Sequence, residues 1–231
     1  MSARVQLEPA FLLSRKPYRE SSALLELFTA GHGRVGVVGR GLQGAKRRKG
    51  QINPQPFARL LVSWSGRGEL ATLTAVEEAG PSPRLAGEAV FSGWYLNELL
   101  LKLLQRNDPH PALFAAYGEC LAGLSEAALR RFELQLLAEL GYGVHWPESP
   151  DPALWYEDDG ERGWRVVAAE TDDAMRGSSL IALAHGHLED IQVLRDAKRL
   201  LRARLARQLA GRSLDTPRLL RSLRAEIGAK A

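Results

Sequence analysis

The chain has 231 residues, of which 45% are hydrophobic, a formal net charge of +4, and a single cysteine, Cys120. That size holds one large domain or two small ones with a packed core, and one thiol excludes an internal disulfide framework. No uninterrupted apolar run reaches the roughly 18–20 residues of a membrane helix, and residues 1–9 carry no apolar signal core, so the expected setting is the cytoplasm.

Residues 4–13 alternate and then run apolar through Val5, Leu7, Phe11, Leu12 and Leu13, and Pro17-Tyr18 reads as a turn. A second apolar run spans 24–28, closed by Gly31 and Gly33. A third spans 35–38, closed by Gly39 and Gly41. A fourth spans 57–64, closed by Gly66 and Gly68, and a fifth covers 70–76. Five short strands separated by glycine turns predict a small closed barrel, most economically the five-stranded oligonucleotide-binding (OB) barrel, over residues 1–80.

Gly80-Pro81-Ser82-Pro83 is a strong breaker and the expected domain boundary. Beyond it the apolar period becomes helical. Helices are predicted from about 90 to 104, from 113 to 121, and from 126 to 140 with Ser125 as N-cap and Gly141 as the stop. Residues 142–177 read as an irregular acidic insert with a short hairpin around Trp155 and Trp164. A short helix follows at 179–184, a long one at 188–210, and a last one with Thr216 as N-cap and Pro217 at its first position. The fold class is therefore α+β, an OB barrel followed by a mainly helical domain at 81–231.

Charge is segregated along this order. From Leu27 to Gly68 there is no carboxylate but there are eight cations: Arg34, Arg40, Lys46, Arg47, Arg48, Lys49, Arg59 and Arg67. Residues 148–173 hold nine acids against two bases, and residues 195–224 hold ten bases against two acids. A cationic run that no acid neutralises points to a polyanion. A quartet at 46–49 between Gly44 and Gly50 has the reach to follow a phosphate backbone, Arg with a forked donor and Lys as a point charge. On the long helix, Arg195, Lys198, Arg199, Arg202 and Arg207 form a second positive stripe opposite Ile191, Leu194, Leu201, Leu205 and Leu209. Tyr18, Phe57 and Trp64 are candidate stacking faces for bases, although Phe57 and Trp64 have the neighbours of core residues.

Other motifs carry less. Gly31-His32-Gly33-Arg34-Val35-Gly36 matches a dinucleotide-binding spacing, but a strand follows where a helix N-terminus is needed. Residues 39–46 miss the phosphate loop, with Arg47 where a Ser or Thr would hold magnesium. His185 and His187 flank Gly186 without a cysteine or second pair, which argues against zinc. Glu157, Asp158 and Asp159 read as a solvated turn. Nothing in the residues predicts catalysis.

Several stretches taken together resemble a known family. Arg34-Val35, Lys46-Arg47, Gly66-Arg67-Gly68-Glu69-Leu70, Tyr95-Leu96-Asn97-Glu98-Leu99-Leu100, Leu129-Arg130-Arg131-Phe132-Glu133-Leu134, Leu140-Gly141-Tyr142-Gly143 and Ala197-Lys198-Arg199 are similar, in order, to the bacterial recombination mediators of the RecO family. The resemblance implies binding of single- and double-stranded DNA, annealing of complementary strands, and docking on the acidic C-terminal tail of single-stranded DNA-binding protein (SSB). It further implies work with RecR to load RecA on SSB-coated DNA, in the cytoplasm at the nucleoid and without enzymatic activity. It places Arg34, Arg40, Lys46, Arg47, Arg48 and Lys49 on phosphates, with Lys198, Arg199 and Arg202 extending that surface, and Arg130 and Arg131 at the SSB-tail pocket. Many relatives carry a four-cysteine zinc cluster at about 145–180; no cysteine stands there, so the insert is expected to need no cofactor. Two other readings use the same residues: an RNA-binding or ribosome-associated OB protein, and a metal-dependent nuclease built on the acids at 157–161.

Overall fold

The computed structural model describes residues 4–42, 52–66 and 68–228. It falls into two compact units, Met1–Ala122 with Ser213–Ala231, and Gly123–Arg212.

The first unit is built on five strands, β1 (Arg4–Tyr18), β2 (Ser22–Thr29), β3 (Gly33–Gly39), β4 (Arg59–Ser65) and β5 (Ala71–Glu78). They close into a barrel in the order β1-β2-β3-β5-β4. All pairings are antiparallel except β3 with β5, which run parallel through Val37↔Ala71 and Val38↔Thr72. This closed order of five strands is the OB fold expected from the glycine-punctuated pattern. Alternation fills the interior: Leu12, Leu25, Leu27, Val35, Val37, Leu60, Val62 and Trp64 all lie in one buried cluster. Pro17 and Tyr18 continue β1, opposite Ala23 and Ser22, instead of turning. The β1–β4 ladder ends at Phe11, so no β4 partner claims the N–H that Pro17 lacks.

The outer face of the barrel is not left to water. Phe11 and Phe28 point outward and meet Phe114 and Tyr117 at centroid distances of 4.9–6.1 Å. Those rings come from α2 (Pro111–Ala122). Asn97, on α1 (Glu88–Leu103), donates to the Leu13 carbonyl at 2.7 Å and accepts the Tyr117 hydroxyl. Full burial pushes the Tyr117 phenol well above its ordinary pKa, so it stays a donor. After α1, Arg106 bridges to Arg34 beside β3, and the Asn107 N–H donates to the Arg34 carbonyl at 2.9 Å. Gly33 permits this approach: a Cβ there would stand 1.9 Å from the Asp108 carbonyl oxygen.

The last helix, α6 (Asp215–Gly228), also belongs to this unit and packs on α1. It begins one residue before the expected cap. Its first N–H groups, of Asp215 and Thr216, are received by the Glu98 carboxylate at 2.7 and 2.9 Å, and Pro217 has no N–H to satisfy. A side chain of α1 thus replaces the local cap. Hydrogen bonds from Lys102 and these two backbone groups hold the Glu98 pKa below its ordinary range despite partial burial, which alone would raise it.

In the second unit α3 (Glu126–Glu139) starts at Ser125, whose hydroxyl accepts from Ala128 N at 3.1 Å. The insert contains a three-stranded antiparallel sheet, β6 (Trp155–Asp158), β7 (Trp164–Val167) and β8 (Ala174–Arg176), in the order β7-β6-β8. The expected hairpin is its first pair. α4 (Gly177–Ala184) leads to α5 (Ile191–Leu209), which Asp190 caps by accepting from Gln192 N and Val193 N, three residues later than the apolar pattern alone indicates.

Candidate nucleic-acid interface

In the first unit, Arg40 stands exposed in the turn that leaves β3. Beside it lies a groove of about 330 Å³ lined by Gly39, Arg40, Leu42, Ile52, Leu73 and Val76. Arg15 bonds both to the Leu42 carbonyl and to Asn53, joining the two flanks of that groove. Lys46, Arg47, Arg48 and Lys49 lie outside the described residues, as does Arg67.

Arg34 has a different environment from Arg40. Its guanidinium donates to the Leu101 carbonyl and lies near Glu26 and Arg106. Burial and the neighbouring Arg106 lower its pKa, against the opposing pull of Glu26. Arg106 pairs with Glu26 and donates to the Glu69 carbonyl at 3.0 Å. Glu26 faces outward from β2, in register with Gly36 of β3. Arg106 escapes a sequence reading because it is a lone cation in a turn after a helix. Glu26 does leave a mark, as the one carboxylate within an apolar strand.

In the second unit α5 divides its cations between two tasks. Arg199 turns to Asp196 at 2.7 Å and to the Ala174 carbonyl. Arg204 grips Asp158 with two nitrogens, at 3.0 and 2.7 Å, and Arg207 reaches the same carboxylate at 3.4 Å. Lys198 pairs with exposed Glu126 at 3.0 Å, a surface contact worth only about 0–1 kcal/mol. Arg195 and Arg202 are exposed and have no ion-pair partner among the described residues. With Ile191, spacings of four, three and four put Arg195, Lys198 and Arg202 on one outer face. Within the predicted stripe, Arg199 and Arg207 thus also take part in ion pairs of their own unit, while keeping part of their side chains exposed.

Arg130 and Arg131 also part company. Arg130 is 6% exposed and pairs at 3.0 Å with Glu133, which is 1% exposed. Arg131 is exposed, 3.7 Å from Glu189. Of the aromatic candidates, Trp64 lies in the barrel core, edge-on to His32, and Phe57 is buried against Trp94. Neither offers a face to a base. Tyr18 is partly exposed, with the Arg19 guanidinium 5.2 Å from its ring.

Two acids of the insert are engaged as well. Glu157 accepts from the Thr171 hydroxyl at 2.6 Å and pairs with Arg165, which together hold its pKa low. Asp158 is taken by Arg204 and Arg207. Among the described residues no group of three or more His, Cys, Asp or Glu side chains is placed to hold a metal ion, and His185 and His187 stack on each other, exposed, at 6.1 Å. No described helix is long and apolar enough to cross a membrane.

A closed five-stranded barrel bearing cations, followed by a unit with a cationic helix face, places the chain in the OB-fold class, whose barrels commonly receive oligonucleotides. Comparison with known proteins makes this particular. Residues 1–81 match the family description "Recombination protein O N terminal" and residues 84–149 match "Recombination protein O C terminal". The chain is 44% identical to the DNA repair protein RecO of Nitrosococcus oceani over 96% of its length and 95% of that protein's. It is 44% identical to the protein of that name from Methylococcus capsulatus, over 95% of both chains. With the Coxiella burnetii protein of the same name it shares 43% identity over 95% of this chain and 100% of the relative. The chain belongs to the RecO family of DNA repair proteins.

Proposed function

We propose that this chain acts as a recombination mediator. It binds single- and double-stranded DNA, anneals complementary strands, docks on the SSB C-terminal tail and, with RecR, promotes RecA loading on SSB-coated DNA. It does so in the cytoplasm at the nucleoid, as a binding protein and not an enzyme, without a metal or nucleotide cofactor. The observation that carries this reading is the end-to-end relation to DNA repair proteins of one name, over a barrel span without a carboxylate from Leu27 to Gly68.

The physical sequence is short. Arg40 and the Lys46–Lys49 cations take phosphates on the barrel, while Arg195, Lys198 and Arg202 take them on α5. Neutralising two strands lowers the repulsion that opposes annealing, and no bond is made or broken. The SSB tail is acidic, so Arg131 supplies an exposed cation for it, with Arg130 and Glu133 shaping the helix face behind. Tethering through that tail raises the local concentration of mediator on the coated strand.

The test is fluorescence anisotropy of labelled single- and double-stranded oligonucleotides over a salt series, with an RNA of the same sequence and an SSB-tail peptide in parallel. Expected are DNA binding that falls steeply with salt, peptide binding weakened by Arg131→Glu, and annealing lost on charge reversal at Lys46, Arg47 and Arg48. Preferential RNA binding without peptide binding would replace this reading with an RNA-associated OB module. Magnesium-dependent cutting of labelled DNA would replace it with a nuclease.

A further inference from the structure

The sheet of the second unit ends on β7, which pairs with β6 on one side and, among the described residues, with no strand on the other. The turn between β6 and β7 sets which groups that open side presents. The Arg162 N–H donates to the Asp159 carbonyl at 3.4 Å, the Asp159 N–H donates to the Gly163 carbonyl at 2.8 Å, and Gly163 takes a φ of 85°. This is a three-residue hairpin loop closed by a glycine bulge. Hydrogen-bonded and non-bonded pairs alternate in an antiparallel ladder, so Glu157 with Arg165 and Trp155 with Val167 are the bonded ones. The N–H and C=O groups of Trp164 and Val166 therefore point away from β6, along the free edge. Val166 itself is 58% exposed, an apolar residue in an unused row of backbone donors and acceptors.

The edge is firm and its surroundings are anionic. Tyr156 and Met175 are buried beneath the sheet and Asp158 is held to α5 by Arg204, so the strand is in place before any partner arrives. Glu170 follows β7 by three residues, and Asp172 and Asp173 follow Thr171, whose hydroxyl bonds Glu157 on the strand beside β7. Asp159 stands in the turn at the other end. All four acids are exposed and have no ion-pair partner among the described residues. Of the nearby cations, Arg165 projects from the opposite face to Val166 and is paired with Glu157, and Arg176 lies over the Trp155 ring on the far side of β6, which leaves Arg162. A second copy of the chain would bring the same four acids to the edge, and a DNA strand would bring phosphates, so charge opposes both.

We infer that the β7 edge docks an extended segment of a partner protein, added to the sheet as a further strand, apolar where it meets Val166 and Trp164 and basic at its two ends. Backbone pairing supplies the bonds the edge lacks, and the apolar residues cover Val166. The flanking cations meet Asp159 at one end and Glu170, Asp172 and Asp173 at the other. The acidic insert thereby has a role of its own, apart from DNA, and it stands whether or not the chain is a mediator.

The probe is a fluorescein-labelled heptapeptide, Lys-Lys-Val-Thr-Val-Lys-Lys, followed by anisotropy as the full chain is added over a salt series. The wild type is expected to bind it, more weakly as salt rises, and to leave unbound the same peptide with glutamate in place of lysine. Val166→Pro removes an N–H that β6 does not use, and should weaken binding about tenfold with the far-UV circular dichroism unchanged. Glu170→Lys should weaken it about threefold and flatten the salt dependence. Methylation of the peptide backbone leaves the protein untouched. Methyl groups on both valine nitrogens, or on the threonine nitrogen alone, block opposite edges of the peptide strand, so one pattern should weaken binding about tenfold and the other hardly at all. No wild-type binding, equal binding by Val166→Pro, or equal effects of the two methylation patterns overturns the edge. Equal binding of the glutamate peptide overturns the choice of a basic partner. So does self-association in sedimentation that Val166→Pro abolishes, which gives the edge to a second copy. Should Val166→Pro unfold, Glu170→Lys and the methylated peptides decide the matter.

Discussion

Replacing Asp158 by Asn tests what holds the β6–β7 hairpin on α5. Among the described residues Asp158 is the only carboxylate bonded to Arg204, which it meets through both oxygens, and Arg207 adds a third contact. Both side chains of the main pair are about nine-tenths buried. Asn keeps the shape but removes the charge and turns one acceptor into a donor facing the guanidinium. Breaking one side of a buried pair costs about 3–5 kcal/mol, since the surviving charge stays desolvated. Trp146, Trp155 and Trp164 all lie in the unit that holds this pair, so their fluorescence reports its unfolding in urea. With a urea slope of about 1–3 kcal/mol/M, the midpoint should fall by at least about 1 M. The double variant Asp158→Leu with Arg204→Met should recover most of that loss, because an apolar pair of similar volume is often neutral or better. An unchanged midpoint in Asp158→Asn would refute the claim that this carboxylate fastens the hairpin.

Glu98→Gln should weaken the docking of α6 by about 1 kcal/mol, the usual worth of a cap. The Glu98 pKa is depressed in the folded state, so its contribution is complete above the unfolded value near 4.3 and fades as pH falls through the lower folded value. Urea midpoints of wild type and variant should therefore differ at pH 7 and converge on acidification below pH 4. Gly33→Ala combines a φ of 65° with the Asp108 clash and should cost about 2 kcal/mol or more; hydrogen exchange at the Asn107 N–H should accelerate with it. Arg130→Ala should cost about 3 kcal/mol because Glu133 stays buried, whereas Arg131→Ala should stay within about 0.5 kcal/mol. Thermal melts of the two separate a folding residue from a surface residue.

The barrel was legible because its signals are local. Alternation in β2 and β3, and the glycines at 31, 33, 39 and 41, mark strand ends without knowledge of their partners. Caps supplied by a neighbour were readable only when the neighbour is in sequence: Ser125 announces α3, but Glu98, more than a hundred residues away, caps α6. The cationic stripe on α5 shows the limit of charge counting. Arg199, Arg202 and Arg204 look alike along the chain, and only the positions of Asp196 and Asp158 reveal which are spent on internal pairs. Trp64 was legible in the same local way as the strands, since its apolar neighbours Leu60, Leu61 and Val62 mark it for the core where barrel closure puts it.

The placement of α6 has a consequence for how the chain is made. Residues 213–228 complete the unit that residues 4–122 begin, while residues 123–212 are interposed between them. On a ribosome the barrel, α1 and α2 emerge first, but Glu98 and Glu88 wait for Asp215, Thr216 and Arg224, which are made only after residues 123–212. The α1 surface that receives α6 therefore stays bare through translation of the whole interposed unit. A nascent chain stalled at residue 212 presents that surface, and it is where a chaperone, or the α6 of a second molecule, would find purchase.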